Sequence, residues 1–543
     1  MLDQRKWLIA IVLAMAAIVA ACGGGDDDED TAGTQATPGA SGQAAATQTS
    51  NIKRGGTLVA ALGNNPKTFD PMLSNDVASS AVQVSIIEGL YKYDKDFKPV
   101  PWLAEKVDIS PDNMEYTFHM RQGVMFHDGT EMDAEAVKFS MERVKNNPAS
   151  VRNADAKTIT EIAVLDKYTV KVSLSEPFAP FPSRLTGGLG AVVSPKAVQE
   201  MGDEKFGLSP VGTGPFKFDN WQNDVSVQVE KFDNYWKDGA DGKKLPYLDG
   251  VEWRIITEPA GRLTAIQAGD VDIFADNTRP RDADLSTIKA DSNLKLDIGP
   301  GLGWSGLWLT INKPPFDNKA LRQAVAYAID RQEINTAIYE GQRTIANGPI
   351  PVPLSWAVDP NFKFYPEKAD LAKAKEKLAE GGKPNGFEFE YWISAGDQLG
   401  QSLAELIQSQ LAKVGITMNV QAADFNGVVI PKLMKQESNA YQLGLTGGVD
   451  PDQHVGNAFA TGAGFNFFPY SVPRVDELVK QGKAVSDIEQ RATVYKELAK
   501  IIVEDAPYIW HTYSNDYVVA NKKVQGTYLG QKATAGYSEF WIQ

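Results

Sequence analysis

The chain has 543 residues, of which 43% are hydrophobic and 23% charged, and its formal net charge is −15. This length and apolar content predict two to four compact units and exclude a chain that is disordered throughout. The acidic balance, without a lysine or arginine cluster beyond the first residues, argues against a nucleic-acid-binding surface and favours a small-molecule or protein partner.

Residues 1–21 have the layout of a secretory signal peptide. Arg5 and Lys6 precede an uncharged run, 7–21, that is too short for a permanent membrane-spanning helix. The sequence VAAC at 19–22 resembles the lipobox of bacterial lipoproteins, and Cys22 is the only cysteine of the chain. Since an exported chain has reason to avoid an odd thiol, we predict that Cys22 is lipidated rather than incidental. The protein is then exported and anchored to the cell membrane by this cysteine.

Residues 22–53 are rich in Gly, Ala, Ser, Thr and Asp and have no apolar period. They predict a flexible linker between the anchor and the folded body. From there to residue 300, short alternating runs separated by Gly and Pro dominate, such as YTFHMRQGVMF at 116–126 and GPFKFDNW at 214–221. This spacing predicts a sheet-rich α+β region that precedes a more helical one.

Two helices are predicted in the second half of the chain. The first, within 314–334, places Leu321, Ala324, Val325, Ala328 and Ile329 on one face, with Asp317 or Asn318 as its N-cap. The second, within 366–382, repeats apolar residues at helical spacing and ends at a Gly-Gly pair.

A strand, helix and second strand are predicted between 386 and 420. Phe389, Tyr391 and Ile393 alternate with other residues, and Asp397 can cap the helix that follows. Gly415 stands where a left-handed C-terminal cap belongs, and alternation resumes at Ile416. Such a unit is a crossover of an open α/β sheet.

The sequence shows no recognisable catalytic signature. The stretch GWSGL at 303–307 lacks the final glycine of a nucleophile elbow, and no phosphate-binding loop is present. His119, His127, His454 and His511 do not fall at metal-ligand spacing, so we predict no metal site and no cofactor. Paired carboxylates leave no sequence signature, and with 69 acidic residues a secreted hydrolase stays an open alternative.

Several stretches, taken in chain order, resemble the family 5 bacterial extracellular solute-binding proteins, which include oligopeptide-, dipeptide- and nickel-binding components of ABC importers. The most specific is YTFHMRQGVMFHDGTEMDAEAVKFSMER at 116–143. The others are PKTFDPM at 66–72, IIEGLYKYD at 86–94, VGTGPFKFDNW at 211–221, FDNYW at 232–236, GDVDIF at 269–274, PPFDNKALRQAVAYAIDRQEI at 314–334 and EDAPYIWHTY at 504–513. The resemblance covers essentially all of residues 54–543.

The resemblance implies an α/β fold, the two-lobed clamshell of periplasmic binding proteins in its type II, extended form with an extra α+β subdomain. Lobe I would comprise 54–76, 191–298 and 507–543, the extra subdomain 77–190, and lobe II 299–506. Hinge crossings would fall near Pro300 and Asp505. The signature FHDGT, in the extra subdomain, is interpreted as a turn in which Gly129 relieves backbone strain and Asp128 bonds locally.

The resemblance also places the ligand contacts on four segments. These predict the following ligand-binding residues: Asn64, Asn65, Trp304, Phe425, Thr446, Gly447, Gly448 and Asp450. The peptide binders of the family carry an aspartate in a W-x-x-D-like setting, where this chain has Leu445 and Gly448 instead. Asp450, in the turn that follows, is the candidate left to pair with a peptide ammonium.

The predicted function is that of a monomeric binding lipoprotein without enzymatic activity. It would capture a small solute by lobe closure and deliver it to an ABC permease with its ATPase subunits. An oligopeptide or dipeptide is the family's usual ligand, and an oligosaccharide stacked on Trp304 and Phe425 is the alternative. A lipoprotein with a signalling or chaperone-like role is a further class.

Overall fold

The computed structural model describes residues 52–74, 76–94, 97–275, 278–529 and 536–543. The predicted signal peptide, Cys22 and nearly all of the predicted linker lie outside these residues, so the interpretations made of them stay predictions. Within the described ranges, no helix combines the length and apolar character needed to cross a membrane.

The described residues form strands and helices along the whole body. The strands are β1 (Thr57–Leu62), β2 (Tyr91–Tyr93), β3 (Pro99–Pro101), β4 (Ala104–Ile109), β5 (Glu115–Met120), β6 (Ile159–Asp166), β7 (Thr169–Leu174), β8 (Phe216–Gln222), β9 (Ser226–Lys231), β10 (Gly250–Ile255), β11 (Ile273–Phe274), β12 (Leu294–Leu309), β13 (Glu388–Ser394), β14 (Thr417–Ala423), β15 (Ala440–Thr446), β16 (Tyr508–Asn521), β17 (Val524–Gln525) and β18 (Trp541–Ile542). The α-helices are α1 (Val77–Ile86), α2 (Ala134–Asn146), α3 (Asn153–Ala156), α4 (Phe181–Arg184), α5 (Pro195–Leu208), α6 (Pro259–Ala268), α7 (Leu285–Ala290), α8 (Lys319–Ala328), α9 (Arg331–Tyr339), α10 (Leu371–Glu380), α11 (Gln398–Ala412), α12 (Ile430–Met434), α13 (Asp452–Phe459), α14 (Pro473–Ala484) and α15 (Ile488–Asp505).

A ten-stranded mixed sheet runs through the body in the order β14-β13-β15-β12-β16-β11-β1-β10-β9-β8. The two long strands β12 and β16 stand in its middle and pair antiparallel along most of their length. A separate four-stranded antiparallel sheet, β4-β5-β7-β6, belongs to the region around the FHDGT signature.

Three large apolar cores follow this arrangement. One lies around β1, β9, β10 and α5, the second around β12 to β15 and helices α8 to α15, and the third around the four-stranded sheet and α2. Strand β16 contributes side chains to both sides: Val518 and Ala520 pack in the first core, whereas Tyr508 and Trp510 pack in the second. The start of β16, assigned to lobe I on the sequence, therefore packs with the residues assigned to lobe II.

The predicted crossover unit is confirmed. In β13 the residues Phe389, Tyr391 and Ile393 are buried, and β13 pairs parallel with β14. Asp397 caps α11 by accepting a hydrogen bond from the Gly400 amide at 2.9 Å, and Gly415 has φ of 84°. Periodicity and caps are local signals, which is why the sequence was sufficient here.

The other predicted elements are refined in detail. Asn318, not Asp317, caps α8. This helix ends before Ile329, which has an extended backbone, and Asp330 then caps the next helix, α9. In the FHDGT turn, Gly129 has φ of 81°, and Asp128 Oδ1 accepts hydrogen bonds from the amide and hydroxyl of Thr130. Asp128 Oδ2 also accepts a bond from the Ser194 hydroxyl at 2.6 Å, so the turn ties the third core to helix α5.

Candidate ligand-binding cleft

The pairing of β12 with β16 is interrupted where the strands pass from one core to the other. Their register shifts between Pro300 and Trp304, across a glycine-rich segment. Cβ atoms at Gly301 and Gly303 would come within 2.8 and 2.7 Å of the Ser514 Oγ atom. The two strands thus approach each other in a way that only glycine permits at these positions.

On the side of the first core, a cavity of about 190 Å³ opens at the end of β1; we call it the first cavity. Its polar lining consists of Asn64, Thr257, Arg262, Thr278 and Arg279. Gly63 and the first residues of α1 complete it. The Gly63 amide donates a hydrogen bond to the Thr278 hydroxyl at 3.2 Å, which holds the end of β1 against the segment after β11.

On the side of the second core, a cavity of about 200 Å³ lies over β12 and β15; we call it the second cavity. Its polar groups include Ser305, Asp397, Gln442 and His511, and its aromatic side chains are Tyr339 and Phe425. The Gln442 Oε1 atom is buried and has no hydrogen-bond partner among the described residues.

Arg343 connects the surroundings of the two cavities. Its guanidinium stacks 3.8 Å from the ring centroid of Tyr339, which lines the second cavity, and bonds to Asp282 at 3.0 Å. Its positive charge also acts on Arg279, which lines the first cavity. Asp516 and Tyr517 of β16 act electrostatically on Arg279 as well, and Ser305 and His511 line the second cavity, so both cavities lie near the crossing of β12 and β16.

The two predicted asparagines occupy different places. Asn64 is exposed and lines the first cavity. The Asn65 side chain instead bonds to the Asn223 side chain at 2.6 Å, to Trp221 Nε1 and to the Asp224 amide. Asn65 therefore braces its loop against the β8–β9 turn.

The two predicted aromatic residues also separate. Phe425 is half-buried and lines the second cavity, as expected of a ligand contact. Trp304 is only 1% exposed and packs edge-on against Tyr508, with ring centroids 4.5 Å apart. The register shift just before Trp304 turns its side chain into the second core, so Trp304 does not offer a stacking surface to a ligand.

The residues at the end of β15 and just after it make backbone contacts. Thr446 is exposed and pairs with Gly303 across the crossing point, and the Gly447 amide donates to the Leu302 carbonyl at 3.3 Å. The Gly448 carbonyl bonds at 2.7 Å to His454 Nε2, whose ring would overlap a Cβ atom at Gly447. Burial lowers the pKa of His454 to about 4, so this histidine is neutral at pH 7 and donates from Nε2.

Asp450 is buried and engaged within the protein. Both of its oxygens bond to Arg491, at 2.9 and 3.0 Å, and Arg491 also donates to the Tyr495 hydroxyl. Burial by itself would lower the pKa of Arg491, but Asp450 and Tyr495 raise it above its ordinary value. The expectation that Asp450 pairs with a peptide ammonium therefore conflicts with this geometry, because its carboxylate is already satisfied.

Sequence reasoning missed several residues that line the cavities. Arg262 and Arg279 come from segments 17 residues apart, and Tyr339, Asp397 and Gln442 from three further elements. One signal was available: the segment TRPRD at 278–282 places two arginines just after the short strand β11. Asp397 was recognised only as a helix cap.

A third, larger cavity of about 510 Å³ lies away from the crossing strands, against the third core. It is lined by residues 121–124, 234–236 and a few charged side chains, and it is wide open. None of the predicted contacts lies there. Within the described residues, no three His, Cys, Asp or Glu side chains come together as a metal site would require.

Comparison with known proteins agrees with this architecture. The profile of the bacterial extracellular solute-binding proteins, family 5 Middle, matches residues 98–467. The glutathione-binding protein GsiB of Pectobacterium atrosepticum is 32% identical over 500 residues, covering 90% of this chain and 95% of the relative.

Solved structures give the same result. HbpA2 from Haemophilus parasuis superposes with a TM-score of 0.79 at 27% identity, covering 90% of this chain and 100% of the other. The periplasmic binding protein DppA from Helicobacter pylori, in complex with the peptide STSA, gives 0.75 at 28% identity, covering 92% and 99%. These matches confirm the predicted two-lobed α/β fold. The chain belongs to the family 5 bacterial extracellular solute-binding proteins, the binding components of ABC importers.

Proposed function

We propose that this protein captures a short peptide or peptide-like solute outside the cytoplasm and delivers it to an ABC permease. The observation that carries the proposal is the pair of polar cavities, one on each core, that flank the crossing of β12 and β16. A solute that contacts both cavities favours the form in which the two lobes are closed on it, and the permease recognises that form. The protein acts as a monomer without chemistry of its own.

The proposal uses the lobes expected from the sequence. Lobe I comprises 54–76, 191–298 and 507–543, lobe II comprises 299–506, and the extra subdomain comprises 77–190. We place the last boundary after residue 513 instead of before 507, because Tyr508, Ile509, Trp510 and Tyr513 pack in the second core. Closure would bend β12 and β16 near Pro300 and Asn515, which are paired at the start of the register shift.

A peptide-like ligand fits the polar groups of both cavities. The first cavity offers guanidinium groups, and the second offers the Asp397 carboxylate, the unpartnered Gln442 oxygen and the Phe425 ring. Peptides carry carboxylate, ammonium and amide groups that can meet these partners. The relatives support the same class, since GsiB binds glutathione and the DppA structure holds a peptide.

Other ligand classes receive less support. An oligosaccharide would need aromatic platforms, and of the two considered only Phe425 lines a cavity. A nickel site held by imidazoles needs more than one of them. His454 Nε2 is already bonded to the Gly448 carbonyl, and His511 is the one histidine among the described residues that line the two cavities.

A ligand screen tests the proposal. The purified protein is heated with di- to pentapeptides, glutathione, oligosaccharides and Ni(II)-histidine, and hits are titrated by calorimetry. We expect a peptide or glutathione to raise the unfolding free energy by about 2.7 kcal/mol at 100 times its Kd. If no solute of any class stabilises the protein, the proposal is wrong, and if only sugars do, the ligand class is wrong.

A matched pair of variants locates the site. Phe425→Ala removes an aromatic ring from the second cavity, whereas Phe465→Ala removes an exposed one elsewhere in the second lobe. We expect only Phe425→Ala to raise the Kd of the ligand found in the screen, by about tenfold, which corresponds to the loss of one aromatic contact. Equal affinities of the two variants would place the ligand elsewhere.

The membrane anchor is part of the proposal and has its own test. Cys22→Ser removes the thiol that lipidation requires, so we expect the folded protein in the soluble fraction instead of the membrane fraction. Its affinity for the ligand should stay that of the wild type. A Cys22→Ser protein that remains in the membrane fraction would contradict the anchor.

A further inference from the structure

The first cavity brings together two arginines. Arg262 lies in the first turn of helix α6, and Arg279 lies in the segment that follows strand β11. Among the described residues, the lining of this cavity contains no carboxylate: besides the arginines it has Asn64, two threonines, and apolar or glycine residues. A cavity with this composition attracts anions.

Arg262 is held rigidly and is incompletely satisfied. It is 7% exposed, and its Nη1 atom donates to the carbonyls of Ile256 and Thr257 at 2.8 and 2.7 Å. Its Nε atom is buried and has no partner within the described part of the chain. A buried donor without a partner is costly, and a bound acceptor would remove that cost.

Arg279 is the exposed member of the pair. It makes no hydrogen bond or ion pair with any residue that the structure describes, although Asp282 and Asp516 attract it from further away. Asp282 is already bonded to Arg343 and to the Tyr517 hydroxyl. Crowding by protein atoms lowers the pKa of Arg279 even though the residue stays exposed, as expected of a cation inside an open cleft.

The first turn of α1 adds a third favourable element. Val77 and Ala78, its first two residues, line the same cavity. The N-cap Asp76 directs its carboxylate to the Ser79 amide and hydroxyl, at 2.9 and 2.6 Å. The N-terminus of this ten-residue helix, with Asp76 as its cap, therefore borders the same cavity as the two arginines.

We propose that the first cavity is a carboxylate-binding subsite, in which Arg279 and Arg262 hold an acidic group of the solute. The ligand is then an acidic solute, such as a peptide with a free carboxyl end or glutathione, rather than a neutral one. This inference deepens the proposed function and depends on it, since it assigns a ligand class to the same cleft.

Matched ligand pairs test the proposal. Calorimetry compares di- and tripeptides that have a free carboxyl end with their C-terminal amides, and glutathione with its diester. We expect each acid that binds to have a Kd about 10- to 100-fold lower than its neutral counterpart, the range of a hydrogen-bonded charge. An amide that binds as tightly as its acid would overturn the proposal.

The variant Arg279→Gln completes the test. It should raise the Kd of the acids about 10- to 100-fold while leaving the amides unchanged. Arg281→Gln is the control: it removes the same charge two residues away, from a side chain that pairs with Asp284 outside the cavity. Arg262 is not the first choice, because its substitution removes two hydrogen bonds to backbone carbonyls and so also affects folding.

The outcomes separate the two proposals. Equal losses of acid and amide affinity in Arg279→Gln, or equal effects of Arg279→Gln and Arg281→Gln on the acids, would overturn the carboxylate subsite. If neutral peptides bind and acids do not, the solute-binding function stands and the subsite is wrong. If no solute binds at all, the proposed function fails and the subsite fails with it.

Discussion

Two buried arginines of this protein have opposite surroundings. Arg491, in the second core, is met by both oxygens of Asp450 and by the Tyr495 hydroxyl. Arg262, in the first cavity, is met on Nη1 by backbone carbonyls, and its Nε atom has no partner among the described residues. The first arrangement is complete, whereas the second leaves an opening that an anion can fill.

This contrast separates residues that hold the fold from residues that can bind a solute. A buried charged side chain whose hydrogen-bonding groups are all paired within the protein has none left to bind a ligand, even when it lies close to a cleft. Glu88 is a second closed case: its carboxylate accepts hydrogen bonds from Trp102, Tyr235, Thr213 and Trp236. The open case is the first cavity, where the described lining residues include donors and no carboxylate.

The largest expected effect concerns the closed pair in the second core. Asp450→Asn leaves Arg491 buried without a counter-ion, which should lower the unfolding free energy by about 3 to 5 kcal/mol. Denaturant unfolding measures this loss, with the exposed Asp233→Asn as control at less than about 0.5 kcal/mol. If Asp450→Asn is as stable as the control but loses ligand affinity, Asp450 is a binding residue after all.

A smaller loss is expected at Glu88. Glu88→Gln replaces an acceptor oxygen by an amide that opposes two of the four donors, which should cost about 2 to 4 kcal/mol. Glu200→Gln, an exposed position on α5, serves as the control in the same unfolding experiment. Burial raises the pKa of Glu88 above its ordinary value, although its hydrogen bonds oppose that shift. An unchanged stability of Glu88→Gln would mean that a neutral side chain satisfies the four donors and that the carboxylate is not needed.

The buried histidines predict a dependence on pH. Burial lowers the pKa of His127 and His454 to about 4 and that of His511 to about 3. The unfolded chain takes up protons below about pH 6.5 and the folded chain does not, so stability falls on acidification by about 1.4 kcal/mol per pH unit for each histidine.

His454→Gln isolates one of these contributions. It should reduce the slope of unfolding free energy between pH 6 and pH 5 by about one proton. The same variant measured at pH 8, where histidine is neutral in both states, gives the loss due to packing alone and serves as the reference. A slope identical to that of the wild type would show that His454 accepts a proton without unfolding.

The fold was accessible from sequence because its signals are local or collective. The alternation in β13, the Asp397 cap and Gly415 each act over a few residues. The family resemblance predicted the architecture from motifs spread over most of the chain. Such motifs indicate a fold without specifying any individual tertiary contact.

The cleft was only partly accessible because its contacts join distant segments. Phe425 and Asn64, two of the predicted ligand-binding residues, line the cavities. Trp304 is turned into the core by a register shift between β12 and β16, which the sequence periodicity does not reveal. The partner of Asp450, Arg491, is 41 residues away. The arginine pair of the first cavity joins two separate segments, α6 and the residues after β11, and was missed for the same reason.

The most direct test of the contrast compares Arg279→Gln and Asp450→Asn in both assays, unfolding by denaturant and calorimetric titration with an acidic peptide or glutathione. The account predicts that Arg279→Gln keeps the wild-type unfolding free energy to within about 0.5 kcal/mol and loses affinity about 10- to 100-fold. It predicts that Asp450→Asn loses stability and, while still folded, keeps the wild-type affinity. The reverse result, a destabilised Arg279→Gln with normal affinity and a stable Asp450→Asn that no longer binds, would contradict it.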